Sequence, residues 1–188
     1  DLRRDPEGRA IKPGYSTAFE YSDCWVDDAR LVVLNAVDAR QRGAKVLTRT
    51  AVTSARRVDG MWSIEARRAD GSKLRAKAKG LVNAAGPWVE DVILRVAGQN
   101  TRRKVRLVKG SHIIVPKWWA GNNAYLVQNH DKRVIFINPY EGDKALIGTT
   151  DISYEGRAED VMADESEIEY LLAAVNRYFK EKLRRDDV

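Results

Sequence analysis

Gly80-Leu81-Val82-Asn83-Ala84-Ala85-Gly86-Pro87-Trp88 decides how the chain is read, because a short apolar run meets a turn of small residues and then a proline. Two apolar residues with no polar alternation mark a strand covered on both faces, and proline suits the first turn of a helix, where its missing N–H is not needed. The stretch predicts strand, tight turn, helix. Ala84, Ala85 and Gly86 carry almost no side chain, which leaves room for another group to approach their backbone at the positive end of a helix dipole. Two readings stand: a cofactor-binding opening, or a tightly packed turn that holds no ligand.

Just upstream, Asp59-Gly60 and Asp70-Gly71 each separate alternating segments, with Trp62, Ile64 and Ala66 on one and Leu74, Ala76 and Ala78 on the next. Asp-Gly between alternating runs is a strong hairpin signal, since a type I′ turn needs positive φ at both central residues. Residues 50–79 are therefore predicted as a three-stranded meander. Before it, Asp27 or Asp28 caps a helix with Leu31, Val32, Leu34 and Ala36 as its stripe and Gly43 as its end. Lys45-Val46-Leu47-Thr48 reads as a short strand, and residues 1–26, with Pro6, Gly8, Pro13 and Gly14, as a loop or irregular arm.

Downstream, Trp88, Val89, Val92, Ile93 and Val96 form one side of a helix closed by Gly98. From Lys104 the pattern turns to strands over 105–115, 125–128, 133–138 and 145–150, spaced as an antiparallel sheet. A final helix is marked by Asp164 and Glu167 as a capping box, with Ile168, Leu171, Leu172, Val175, Phe179 and Leu183 as its apolar stripe. The predicted class is α+β (mixed α/β): the meander with flanking helices, then an antiparallel sheet with its own helix.

The 188 residues, 44% hydrophobic and 32% charged, suffice for one good core or two small ones. No apolar run approaches the roughly 20 residues of a membrane-spanning helix, and no secretory leader opens the sequence. The one cysteine, Cys24, cannot form an internal disulfide, so a cytoplasmic protein is expected. Lys and Arg exceed Asp and Glu by 33 to 27, and the excess collects in short strings: Arg56-Arg57, Lys73 to Lys79, Arg102-Arg103-Lys104 and Arg184-Arg185. Lys73, Arg75, Lys77 and Lys79 alternate with apolar residues, which favours a solvated strand face over a nucleic-acid patch. The sequence starts at Asp1 and stops after Arg184-Arg185-Asp186-Asp187-Val188, which reads as a piece of something longer.

None of the 13 glycines has the Gly-x-Gly-x-x-Gly spacing of a dinucleotide fingerprint, and His112 and His130, far apart beside a single cysteine, do not make a zinc site. No Gly-x-Ser-x-Gly elbow is present. Polar residues remain at the ends of the second sheet: Lys109-Gly110-Ser111-His112 and Gly148-Thr149-Thr150-Asp151. Alternation puts Arg106, Val108, Gly110, His112 and Ile114 on one face, so His112 is either a core residue among apolar neighbours or part of a cavity lining. Gly110 beside it signals a bulge or a close backbone approach.

Taken together, Tyr21 to Arg30, Val46 to Thr50, Gly80 to Trp88, Lys109 to His112, Ile147 to Asp151 and Glu165 to Ile168 resemble, in order, the motifs of the aerobic FAD-dependent glycerol-3-phosphate dehydrogenases. The resemblance implies the middle of such an enzyme: part of an FAD-binding domain over 1–100 and part of a substrate-binding domain over 101–188, without the glycine-rich fingerprint. It implies oxidation of sn-glycerol 3-phosphate to dihydroxyacetone phosphate, with a hydride passing to FAD and electrons on to a quinone, in an enzyme peripheral to the cytoplasmic face of the membrane. By matching motif positions, His112 is the candidate polar group near flavin and substrate. Thr149 and Asp151 are candidates on the substrate side, and Ala84, Ala85, Gly86 and Pro87 for backbone contact with the flavin. No lysine or arginine is assigned to the phosphate. The segment on its own is expected to be inactive, and uncovered apolar surface to favour a homo-oligomer. The competing class is a stand-alone binding module for an anionic small molecule or nucleic acid, whose DNA binding would fall steeply with salt.

Overall fold

The computed structural model describes residues 1–102 and 104–188, and Arg103 of the basic string lies outside the described residues. The chain forms two compact units, one of Tyr21–Val105 and one of Asp1–Glu20 with Arg106–Val188.

In the first unit, α1 (Asp28–Gln41) starts where the sequence placed it: the Asp27 carboxylate accepts the Arg30 N–H at 2.9 Å. Gly43, at φ +95°, turns the chain out of the helix. The predicted strand at 45–48 does not form; Val46 and Leu47 are exposed, and a turn leads through Arg49 into the sheet. That sheet is the expected meander, β1 (Thr50–Val58), β2 (Met61–Arg68) and β3 (Lys73–Ala78), antiparallel in the order β1-β2-β3. Asp59 and Gly60 both take positive φ, as a type I′ turn requires. The second turn is wider. Positive φ falls on Gly71, and the Asp70 carboxylate accepts the Ser72 N–H at 2.9 Å.

Leu81-Val82 is irregular rather than a strand, with Val82 88% exposed. A strand exists only where a neighbour completes its ladder, and no described strand pairs with this one. The predicted helix after it is present as a composite run over 86–96: a 3-10 turn at Gly86–Trp88, α2 (Val89–Asp91) and a π turn at Val92–Val96, ended by Gly98 at φ +60°. Little is buried in this unit; Ala55 and Ala66 are its buried apolar residues among those described.

The second unit holds the core. Its sheet contains β5 (His112–Pro116), β6 (Tyr125–Gln128), β7 (Val134–Tyr140) and β8 (Lys144–Gly148), antiparallel in the order β5-β8-β7-β6. A two-stranded pair, β4 (Leu107–Lys109) with β9 (Ile152–Tyr154), stands beside it. The expected continuous strand over 105–115 is thus broken at Gly110-Ser111. One face of the large sheet, carrying Ile113, Val115, Ile135, Ile137, Ala145 and Ile147, forms one core with Ile168, Leu171, Leu172 and Val175 of α3 (Glu165–Tyr178). Asp164 and Glu167 form the predicted capping box.

The helix stops short of its predicted end. Phe179 is extended and pairs with Ile11, so it and Leu183 reach the core from outside the helix. The N-terminal arm takes the free carbonyls there: Lys12 donates its N–H to Tyr178 O at 2.8 Å and its ammonium to Asn176 O at 2.6 Å.

Candidate active site

The face of the sheet turned away from α3 is open and largely apolar. Register puts His112 opposite Gly148, Gly148 opposite Phe136, and Phe136 opposite Leu126, one row across all four strands. Ile114 and Val134 are exposed on the same side. Arg106, Val108, Gly110, His112 and Ile114 do share an exposure pattern, as alternation predicted, but the pattern is the exposed one; Ile113 and Val115 fill the core. His112 is therefore not a core residue.

Gly148 gives His112 its place. A Cβ added to Gly148 would lie 2.2 Å from His112 Cδ2 and 2.7 Å from Nε2, so the imidazole occupies the space that a side chain would take. Partial burial against this strand lowers the His112 pKa below the usual histidine value, which favours the neutral ring. A neutral imidazole on an open apolar surface can take a proton from a hydroxyl.

Gly110 marks the close approach that its sequence position signalled: a Cβ there would meet Thr149 Oγ1 at 2.6 Å and Thr150 O at 3.2 Å. Thr149 is half-buried, and its hydroxyl donates to Thr150 O at 3.0 Å. The Gly148–Thr149 peptide is cis. Asp151 is exposed and near enough to Arg133 to help raise that guanidinium's pKa, after the larger effect of its hydrogen bond to Asp131. The structure thus brings His112, Gly148, Thr149 and Gly110 together, with Asp151 just beyond them.

Sequence reading singled out the stretch holding Gly148 and Thr150 without giving either a role, and it did not single out Phe136. Nothing in their spacing says which residues stand opposite His112, since register is set between segments far apart in the chain. Thr150 is buried: its hydroxyl donates to Glu167 Oε1 at 2.6 Å and accepts the Ser111 N–H at 2.8 Å. Glu167 was legible as a capping residue but not in this second role.

Ala84, Ala85, Gly86 and Pro87 lie in the other unit. The Asn83 side chain organises them: Oδ1 accepts the Ala85 N–H at 3.3 Å and Nδ2 donates to Val89 O at 2.9 Å. Ala84, Gly86 and Pro87 are exposed, Gly86 has φ +54°, and nothing lies within 4 Å of where its Cβ would be. The turn is therefore open rather than tightly packed. Among the described residues no group of His, Cys, Asp and Glu side chains is placed to hold a metal ion, and no helix is long and apolar enough to cross a membrane.

Comparison with known proteins bears on the family. Over its full length the chain is 70% identical to D-erythritol 1-phosphate dehydrogenase of Brucella abortus (strain 2308), covering 38% of that protein. It is 48% identical over 95% of its length to aerobic glycerol-3-phosphate dehydrogenase of Escherichia coli (strain K12), covering 36% of it. Among solved structures, glycerol-3-phosphate dehydrogenase from Bacillus halodurans complexed with FAD matches 86% of the chain and 33% of its own, with a TM-score of 0.72 at 33% identity. The chain spans little more than a third of the length of these relatives. A family profile described as FAD dependent oxidoreductase matches residues 2–188, and the chain belongs to that family.

Proposed function

We propose that the chain is part of an FAD-dependent dehydrogenase that oxidises a hydroxyl of a small polyol phosphate. The observation that carries this reading is the imidazole of His112 seated on Gly148 at the open face of the sheet. Bound FAD would supply the hydride acceptor for the carbon that bears the hydroxyl. His112 receives the hydroxyl proton on a ring nitrogen as the alcohol becomes a carbonyl. Phe136, Leu126 and Ile114 give the surface beside His112 an apolar character, and in the other unit the turn at Ala84, Ala85, Gly86 and Pro87 leaves backbone accessible for a flavin contact. Thr149 and Asp151 stand on the substrate side.

D-erythritol 1-phosphate is the favoured substrate, on the 70% identity to a dehydrogenase of that name; sn-glycerol 3-phosphate is the second reading, on the 48% relative. The resemblance to the aerobic glycerol-3-phosphate dehydrogenases supports, as part of the same proposal, a quinone as electron acceptor and a peripheral position at the cytoplasmic face of a membrane. The test is a visible absorbance spectrum before and after adding FAD, with a dye-linked assay on both polyol phosphates, made on the complete polypeptide that carries this segment. Flavin bands with faster turnover of D-erythritol 1-phosphate are expected. The order reversed would move the substrate to sn-glycerol 3-phosphate, and no flavin with no turnover on either would overturn the reading.

A further inference from the structure

Behind His112 lies a chain of buried polar contacts that the reaction above does not use. The Lys109 ammonium, with its side chain 9% exposed, sits 2.7 Å from Glu167 Oε2 and 2.8 Å from Asp164 Oδ2, and donates to Met162 O at 3.2 Å. Glu167, on the first turn of α3, is fully buried; Oε2 also accepts the Asp164 N–H at 3.0 Å, while Oε1 accepts the Thr150 hydroxyl at 2.6 Å. A hydroxyl has one proton. Because Thr150 gives it to Glu167, a lone pair is left facing the Ser111 N–H, which donates to it at 2.8 Å. The Thr150 N–H returns a bond to Ser111 O at 3.3 Å.

Both ends of this chain abut the site. Ser111 precedes His112, and Thr150 follows Gly148 and Thr149. A buried ion pair is weak support for stability, since apolar side chains of similar volume often serve as well or better, and its best-attested use is to fix register. Register is what matters here. His112 loses its seat if β5 slips against β8, because only position 148 in that row lacks a side chain.

We infer that Lys109, Glu167 and Thr150 are positioning residues for His112, joining the 109–112 and 148–151 segments so that the imidazole rests on Gly148. The inference rests on His112 acting as proton acceptor in the proposed reaction. Its test compares Thr150→Val, Thr150→Ser and Glu167→Gln by NMR titration of the His112 ring in this chain and by kcat and KM in the complete polypeptide that carries it. With two histidines in the chain, His130→Gln assigns the signals.

Thr150→Val removes the hydroxyl at nearly constant shape. It is expected to raise the His112 pKa toward the ordinary value of about 6.5 and to lower kcat by up to about 100-fold with KM little changed. Thr150→Ser restores both, and Glu167→Gln falls between. An unchanged His112 titration in Thr150→Val overturns the inference, as does a Ser variant no better than Val. If the Val variant does not fold, the Ser and Gln variants decide by the same readouts. A shifted titration with neither flavin nor turnover in the complete polypeptide sinks the dehydrogenase reading and leaves the positioning role; normal turnover with no shift does the reverse.

Discussion

Gly148 and His112 act as one feature, and substitution of either separates packing from chemistry. Gly148→Ala puts a methyl group where the imidazole lies, 2.2 Å from Cδ2. Overpacking of this kind costs about 1–3 kcal/mol, and the displaced ring is expected to lower turnover far more than the melting temperature falls. Loss of stability with full turnover would sink the assignment. His112→Ala, on an exposed position, is expected to leave flavin content intact and to lower kcat by roughly 100- to 10,000-fold, the usual contribution of a general base. Since burial lowers the His112 pKa, the rate should hold from neutrality to somewhat below the ordinary histidine value and fall only in more acid solution. A profile that instead rises as His112 becomes protonated would remove it as the base. At this scale the sequence marked His112 and Gly110 as worth attention, but not their partners. Gly148 looks like any strand-end glycine until register sets it against a histidine.

α3 carries the pH dependence of the second unit. Hydrogen bonds from Lys109, then Ser166 and the Glu167 N–H, hold the Asp164 pKa far below the usual carboxylate value of 3.8. Burial acts upward on Glu167 as the largest single effect, yet bonds from Lys109, Thr150 and the Asp164 N–H outweigh it and leave its pKa lowered from 4.5. Groups with depressed folded values stabilise the fold above their unfolded pKa and lose that contribution as pH falls through the folded one. Lys109 is shifted up by Asp164 and then Glu167, so its contribution is full below 10.5 and disappears only in stronger alkali. The sheet-and-helix unit is therefore expected to hold constant stability from about pH 5 to 10 and to weaken below about pH 4, read as helical circular dichroism against temperature. Glu167→Gln should flatten the acid limb; an unchanged limb would mean that other carboxylates set it. Leu171→Ala, at a fully buried position beneath the sheet, should cost about 2–5 kcal/mol. The N-terminus of α3 was legible because Asp164 and Glu167 cap it through local contacts. Its C-terminus was not: Phe179 fits the helical stripe equally well, and leaves the helix only because Ile11 is there to pair with it.

Across the whole molecule, burial is uneven. The second unit closes on a core of aliphatic and aromatic side chains, whereas Tyr21–Val105 buries little, α1 has no buried residue, and Leu31, Val32, Val33 and Leu34 are all exposed. Amides of the meander are therefore expected to exchange with solvent well before those of β7 and β8, and equal protection would contradict this burial pattern. Apolar surface of that extent should also drive self-association, seen as a mass rising with concentration in sedimentation; a strict monomer at high concentration would count against it. Everything whose cause lies within a few residues could be read from the sequence alone: the capped starts of α1 and α3, the Asp59-Gly60 hairpin, the strand alternation, and the ordered motifs that point to the flavoenzyme family. What only the tertiary structure decided depends on segments distant in the chain meeting. The arm ending at Glu20 belongs to the second unit and pairs with Phe179, residues 45–48 and 81–82 stay irregular with no ladder to complete them, and His112 meets Gly148 across β5 and β8. Local propensity favours a strand or a helix, but pairing partner, register and buried face are set by long-range packing, which no short window of sequence contains.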